Sequence, residues 1–140
     1  REVADRLAAP PGSEAYGALS VGVQAVARAE RLFTVARGAF QPPPKVESAV
    51  IRLTPLAEPL VSDARLASFR RLVVGLFGFR RKQLLRAVRE LTGWPPERVR
   101  ALLESLQLDP TARPEILTPA QFAALTDSVV DGGWETRADL

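Results

Sequence analysis

The sequence predicts an α/β segment with an antiparallel pair of strands, followed by a small all-α domain. Two runs rich in β-branched and apolar residues, residues 28–36 and 46–53, are separated by a loop of glycine and proline. From residue 64 onward, apolar residues recur every three or four positions, as they do on one face of a helix. The two regions differ in pattern and are joined by a proline-containing linker. We therefore predict two domains, residues 1–55 and residues 56–140.

Two helical segments are predicted ahead of the strands. Val3 and Leu7 are four residues apart, which predicts a helix over residues 2–9 that ends before a pair of prolines. Residues 16–27 repeat apolar side chains at roughly helical spacing but include two glycines, which predicts a short or broken helix. The two strand-like runs are neighbours in the sequence, so they are most simply an antiparallel pair with a long connecting loop.

The second region is predicted to contain about four helices. The first, residues 64–77, is expected to end at Gly75 and Gly78. The second, residues 81–93, has one apolar side and an outer side that we expect to be wholly basic. The basic residues of that outer side are Lys82, Arg86 and Arg89.

Two further helices are predicted near the end of the chain. Residues 95–108 begin with prolines, which suit the first turn of a helix. Residues 118–130 begin with Thr118, and Gln121 follows three positions later, which is the pattern of a capping box.

The composition excludes several kinds of chemistry. The 140 residues include no cysteine, histidine or methionine, which excludes disulfides, Cys/His zinc sites, thiol nucleophiles and histidine acid–base catalysis. No apolar run approaches the roughly eighteen residues of a membrane span, and no signal-peptide pattern is present. We therefore expect a cytoplasmic protein without a membrane partner.

Two further expectations concern what the chain contains. It starts inside a predicted helix without a methionine, so we expect residue 1 to be a boundary within a longer protein. No glycine-rich loop follows a predicted strand, so we predict neither cofactor-binding residues nor metal ligands within this chain.

The loop between the strands places Phe40 beside three consecutive prolines at positions 42–44. Each proline fixes its own φ and biases the residue before it toward extended geometry, so the loop should be stiff. A ring presented by a stiff loop suits stacking on a flat partner such as an unpaired base. The alternative is that Phe40 caps the core at the end of a strand.

Arg80, Arg81 and Lys82 form a basic cluster whose role depends on where the preceding helix ends. If that helix continues through the cluster, the cations lie at a helix C-terminus, where they are favourable. If Gly78 ends it, they lie at the start of the next helix, where the helix dipole opposes them. Together with Arg86, they would then suit contact with the phosphates of a nucleic acid. The alternative is a solvated basic surface.

Four segments occur in the order and approximate spacing of the small-subunit ribosomal RNA adenine dimethyltransferases of the KsgA type. The chain resembles that family from residue 1 to about residue 128. The segments are EVADRLAAPPGSEAYGALSV, AFQPPPKVESAVIRL, FGFRRKQLL and LDPTARPEILTPAQFAAL.

The resemblance implies a fold and a reaction. Family members use S-adenosylmethionine to dimethylate N6 of two adjacent adenosines near the 3′ end of small-subunit (16S) rRNA during ribosome assembly. They combine a Rossmann-like methyltransferase domain with a C-terminal helical domain. Residues 1–55 would then be the last part of the methyltransferase domain. The donor-binding and catalytic motifs would precede residue 1, so the chain alone is expected to be inactive, without catalytic residues. We expect a monomer.

The resemblance also implies roles for particular residues. The family motif Phe-x-Pro-x-Pro-x-Val-x-Ser is matched from Phe40 onward, and its aromatic residue lines the pocket for the flipped-out adenine. The Arg-Arg-Lys run contacts rRNA in relatives, which gives that role to Arg80, Arg81 and Lys82. Arg113 matches a typical position, either as an RNA contact or as a tie between helices.

The chain departs from the family pattern in one place. Relatives often carry polar residues after the basic run, where this chain has the sequence QLLRA at positions 83–87.

Two rival functions remain. One rival is a macrolide-resistance methyltransferase that acts on large-subunit rRNA. The other is a catalytically silent relative that only binds nucleic acid.

Overall fold

The computed structural model describes residues 2–39, 41–42 and 47–134. Among the described residues, two short α-helices precede two strands, and four α-helices follow. The elements are α1 (Glu2–Ala8), α2 (Ala18–Gln24), β1 (Ala27–Val35), β2 (Ser48–Pro55), α3 (Leu66–Gly78), α4 (Leu84–Thr92), α5 (Pro96–Ser105) and α6 (Pro119–Asp131).

The two strands form an antiparallel pair, as predicted. Glu30 of β1 lies opposite Arg52 of β2, and their side chains form an ion pair of 2.6 Å. The hydrogen bond from Arg52, together with the charges of Arg52 and the nearby Arg28, lowers the pKa of the Glu30 carboxyl. The register shifts between Arg31 and Phe33, which is the mark of a β-bulge.

Helix α2 is tied to the end of α1 by its polar side chains. The amide of Gln24 donates hydrogen bonds of 2.9 Å to the carbonyl oxygens of Leu7 and Ala9. Ser20 is fully buried and accepts a hydrogen bond of 3.1 Å from the backbone N–H of Gly17. These bonds satisfy buried polar groups, so the short helix is held in place although its sequence has weak helical propensity.

One hydrophobic core joins α2 to the four later helices. Tyr16, just before α2, is buried and meets the ring of Phe77 edge-on at 5.9 Å, and Phe77 stacks on Phe122 of α6 at 5.6 Å. The core therefore takes residues from both sides of residue 55. The division of the chain into two domains remains a prediction. Other fully buried members of this core are Val21, Leu72, Leu76, Leu84, Val88, Val99, Leu103, Leu125 and Val129.

The prediction for Gly75 was wrong, whereas the prediction for Gly78 is confirmed. Helix α3 continues through Gly75 and ends at Gly78. A Cβ at position 75 would lie 2.5 Å from Cδ2 of Leu91, so the glycine makes room for the side chain of α4. Gly75 therefore serves the packing of α3 on α4.

The last two helices begin as predicted. Proline stands in the first turn of both α5 and α6. At the start of α6, Thr118 accepts from the backbone N–H of Gln121 at 3.1 Å, and the Gln121 side chain accepts from the N–H of Thr118 at 2.8 Å. The capping box is confirmed.

Replacing Tyr16 with phenylalanine should lower the free energy of unfolding by about 1–3 kcal/mol. The Tyr16 hydroxyl is buried and donates a 2.6 Å hydrogen bond to the carbonyl oxygen of Leu117. Burial raises the pKa of Tyr16, so the hydroxyl stays protonated and keeps donating. Chemical denaturation of the two chains measures the difference. Ser105→Ala is the control, because it removes an exposed hydroxyl that also bonds to a carbonyl; equal losses for the two variants would contradict the prediction.

Candidate nucleic-acid interface

The three cations singled out by the sequence, Arg80, Arg81 and Lys82, lie in the turn between α3 and α4. We call these residues the basic turn. The N–H of Lys82 donates to the carbonyl oxygen of Phe79 at 2.8 Å, which closes the turn. Gln83 is extended, with φ −67° and ψ 153°, and α4 starts at Leu84. The prediction that this helix begins at residue 81 was therefore wrong.

The start of α4 is set by a distant part of the chain. The N–H groups of Leu84 and Leu85 donate to the carbonyl oxygens of Ala112 and Pro110, at 2.7 and 3.0 Å. Backbone donors in the first turn of a helix have no partner within the helix itself. Since these two partners come from about 25 residues away, local pattern could not locate the helix start.

Two of the three cations each contact an acid and an aromatic ring. Nε of Arg80 lies 3.3 Å from Oε2 of Glu115, and its guanidinium carbon lies 5.9 Å from the centre of the Phe77 ring. Nζ of Lys82 lies 3.3 Å from Oε1 of Glu90 and 4.9 Å from the centre of the Phe79 ring. Their side chains remain 51% and 36% exposed, so both are paired but still open to solvent.

Arg81 differs from its two neighbours. It is exposed, and within the described residues its side chain contacts no acid, ring or hydrogen-bond acceptor. Of the three cations it is the one that can bind an anion without first breaking an existing contact. An exposed guanidinium with a free fork of N–H donors suits a phosphate group.

The outer side of α4 continues the basic surface but is not wholly basic, so that prediction was wrong. Glu90 is exposed on it and lies 3.9 Å from Nε of Arg86. The Arg86 side chain is 69% exposed, so this contact leaves it open. Glu90 reduces the net charge of this side without covering the arginines.

A second group of cations lies at the far end of α4, where Gly93 ends the helix with a φ of 74°. The guanidinium of Arg98 stacks over the ring of Trp94 at 3.7 Å and donates to the carbonyl oxygen of Gly132. Nε of Arg89 donates to the carbonyl oxygen of Trp94 at 3.4 Å. Trp94 and Arg98 thus join α5 to the end of α6, a role that the sequence analysis missed.

The basic turn is supported by residues 109–117, which we call the supporting segment. Nη1 of Arg113 donates to the carbonyl oxygen of Arg81 and, at 3.5 Å, to that of Arg80. Of the two roles left open for Arg113, the structure shows that it ties two parts of the chain together. Contact with RNA stays untested.

The supporting segment is itself firmly held. Asp109 accepts from the N–H and the hydroxyl of Thr111 at 2.9 and 2.8 Å, and these bonds lower the pKa of its carboxyl. Leu117 is buried in the core, and Pro114 is also buried. The basic turn therefore rests on a segment with both local hydrogen bonds and buried side chains.

Phe40 lies outside the described residues, so its predicted place in an adenine pocket is a hypothesis without a structural test. Within the described part of the chain, no three acidic side chains lie together as a metal site would require. None of the helices in that part is long and apolar enough to cross a membrane. What the described residues offer is an exposed group of arginine and lysine side chains suited to binding phosphates.

Comparisons with known proteins agree on one family. The model of the family described as "Ribosomal RNA adenine dimethylase" matches residues 1–131. The chain is 44% identical over 138 residues to "Ribosomal RNA small subunit methyltransferase A" of Hahella chejuensis, covering 99% of this chain and 48% of that protein. It is 45% identical over 129 residues to the protein of the same name from Phenylobacterium zucineum, covering 91% and 42%. The chain thus spans about half the length of the curated relatives it matches.

Two solved structures resemble the chain. A dimethyladenosine transferase from Plasmodium falciparum has a TM-score of 0.80 at 22% identity and covers 95% of this chain and 55% of that chain. The 23S rRNA methyltransferase ErmE has a TM-score of 0.64 at 25% identity and covers 92% and 51%. These likenesses, with the observed strand pair and helices, confirm the predicted fold class.

Replacing Glu115 with glutamine should tighten binding to a single-stranded RNA oligonucleotide by about 1.4- to fivefold, because an exposed ion pair of this kind is worth about 0.2–1 kcal/mol. The change releases Arg80 from its carboxylate partner. Fluorescence anisotropy at fixed salt measures the dissociation constant.

Glu104→Gln is the matched control for the Glu115 variant. It removes the same charge from an exposed position on α5. Equal tightening by both variants would mean that only net charge matters, and would contradict a role for the Arg80–Glu115 pair.

Proposed function

Because the chain belongs to the ribosomal RNA adenine dimethylase family, we propose that the whole protein methylates small-subunit rRNA. It transfers methyl groups from S-adenosylmethionine to N6 of two adjacent adenosines near the 3′ end of 16S rRNA during ribosome assembly. The observation that carries this proposal is the family match over residues 1–131, which includes the basic turn and the loop of Phe40. The protein acts as a monomer in the cytoplasm, on the assembling small subunit.

The basic turn, together with Arg86, docks on rRNA phosphates in this proposal. The electrostatics of the turn support it. Three successive cations stand in the turn between α3 and α4, where they repel one another, and Lys82 lies near the positive end of the α4 dipole. Such a placement costs free energy in the free protein, and a phosphate backbone would recover it on binding. All four side chains are at least one third exposed or lie in exposed positions.

Phe40 stacks on the target adenine in the proposed reaction. The match of residues 40–48 to the family motif supports this role. An adenine turned out of its RNA context loses its stacking neighbours, and an aromatic side chain replaces them. Stacking positions the base for methyl transfer and requires no acid or base from this part of the chain.

The methyl donor is assigned to residues that precede Arg1. The described residues contain no glycine-rich loop that leads from a strand into a helix, so they offer no recognisable cradle for it. This chain alone is therefore expected neither to bind the donor nor to methylate. In the whole protein, its part is to hold rRNA in place.

The large-subunit alternative has weaker support. ErmE resembles the chain at 25% identity, whereas proteins named for the small subunit match at 44% and 45%. A catalytically silent relative would be recognised by loss of the donor-binding and catalytic motifs upstream of Arg1. Measurement of methyl transfer by the full-length protein separates the silent relative from the enzyme.

Replacing all three residues of the basic turn with alanine in the full-length protein should weaken binding to unmethylated small subunits. The salt dependence should also flatten, with the slope of log K against log salt falling by roughly 2, because each phosphate contact contributes about 0.7–0.9. Filter binding at several salt concentrations measures both quantities.

A matched triple variant, with Arg28, Arg52 and Arg100 replaced by alanine, controls for the loss of three charges. These arginines are exposed on the strand pair and on α5. An unchanged slope in the basic-turn variant, or an equal change in both variants, would mean that the basic turn is a solvated surface that does not contact phosphates.

Replacing Phe40 with alanine in the full-length protein should slow methyl transfer by about five- to 150-fold, because stacking on one base is worth about 1–3 kcal/mol. Binding to the subunit should change little, since phosphate contacts dominate affinity. Transfer of labelled methyl groups to unmethylated subunits measures the rate. Phe40→Tyr keeps a ring and should retain most of the rate; unchanged turnover in Phe40→Ala would remove the residue from the site.

A further inference from the structure

Arg113 donates hydrogen bonds to the backbone of the basic turn. We propose that Arg113 is a positioning residue, which holds the basic turn in its binding shape and acts on RNA only through that turn. This inference rests on the proposed function, because it assumes that the basic turn binds rRNA. The first part of the proposal, that Arg113 fixes the shape of the turn, can be tested without RNA.

The guanidinium of Arg113 bonds to the backbone of the turn and not to any of its side chains. It donates to the carbonyl oxygens of Arg80 and Arg81, which are consecutive residues of the turn. An arginine is suited to this task, because its charge is permanent and its N–H groups lie in a rigid plane. Two carbonyl groups that would otherwise be free to reorient are thereby held on one donor group.

The neighbours of Arg113 hold the same turn at other points. The carbonyl of Ala112 accepts from Leu84, immediately after the turn, at 2.7 Å. Glu115 pairs with the Arg80 side chain. Residues 112–115 thus bind the backbone of the turn, the start of α4 and one of the cations. Of these contacts, those of Arg113 are the ones made to the backbone of the turn itself.

Arg113 adds a positive charge where three are already present. Within the described residues its guanidinium is paired with no carboxylate, so its charge is not neutralised there. The carbonyl oxygens of Arg80 and Arg81 stabilise that charge in place of an acid. A carboxylate in the same position would have no donor for these carbonyl groups, and it would compete with phosphates for the cations.

A fixed turn lowers the entropy lost when its long side chains and backbone are ordered on RNA. If Arg113 acts in this way, its effect on RNA binding requires the side chains of the basic turn. If Arg113 contacts a phosphate itself, its effect is independent of them. A double-mutant cycle separates the two cases.

The cycle uses the full-length protein and unmethylated small ribosomal subunits as the probe. Arg113→Gln is measured in the native background and in the background with Arg80, Arg81 and Lys82 replaced by alanine. We expect a loss of affinity of about tenfold in the native background and of less than about twofold in the alanine background. Equal losses in both backgrounds would show a direct RNA contact, and no loss in the native background would show no role; either result overturns the proposal.

Amide hydrogen exchange of the free protein supplies the second readout. Arg113→Gln should speed exchange at Lys82 and Leu84, whose N–H groups hydrogen-bond within and beside the turn. Arg100→Gln removes the same charge from an exposed position on α5 and should leave these amides unchanged. Unaltered exchange in Arg113→Gln would also overturn the proposal.

Two controls keep the result interpretable. Arg113→Lys retains the charge but loses the planar fork, so it should fall between the native protein and Arg113→Gln in both readouts, and it replaces Arg113→Gln if that variant does not fold. If the native protein fails to bind subunits at all, the proposed function fails. Amide exchange still decides whether Arg113 fixes the turn.

Discussion

Three successive cations must be held together in the short turn between α3 and α4, and the rest of the candidate site follows from this constraint. Mutual repulsion among Arg80, Arg81 and Lys82 opposes this arrangement, and Lys82 also lies near the positive end of the α4 dipole. The structure offsets the cost with carboxylates at Glu115 and Glu90 and with two aromatic rings. The side chains of all three residues nevertheless remain at least partly exposed to solvent. A solvated helix face would not need this support.

The support for the turn originates in the core. Tyr16 packs on Phe77 and bonds to the carbonyl of Leu117, while the N–H of Gly12 bonds to the carbonyl of Glu115 at 3.0 Å. These contacts tie the supporting segment to the N-terminal part of the chain. Hydrophobic burial therefore fixes the segment, the segment fixes the turn, and the turn presents its cations.

Much of the fold could be predicted from local pattern because the signals are local. Composition rich in β-branched and apolar residues located the strand pair, helical spacing located α1, and the Thr118–Gln121 capping box located α6. The start of α4 could not be predicted, because its first N–H donors bond to carbonyl groups near residue 111. The prediction that α3 ends at Gly75 was wrong for the same reason, because the role of this glycine depends on Leu91 of another helix. The cations of the site were visible in the sequence, but the acids and rings that hold them are separated in the chain and meet only in the fold.

We propose that rRNA docks on the basic turn. A structure of the full-length protein bound to an unmethylated small subunit tests it most directly, through the distance from the Arg81 guanidinium to the nearest RNA phosphate oxygen. We expect hydrogen-bonding distance, about 2.7–2.9 Å, with Ala112 and Arg113 still bonded to the backbone of the turn and the start of α4. A complex in which the basic turn faces solvent, with rRNA bound to another surface of the chain, would contradict it.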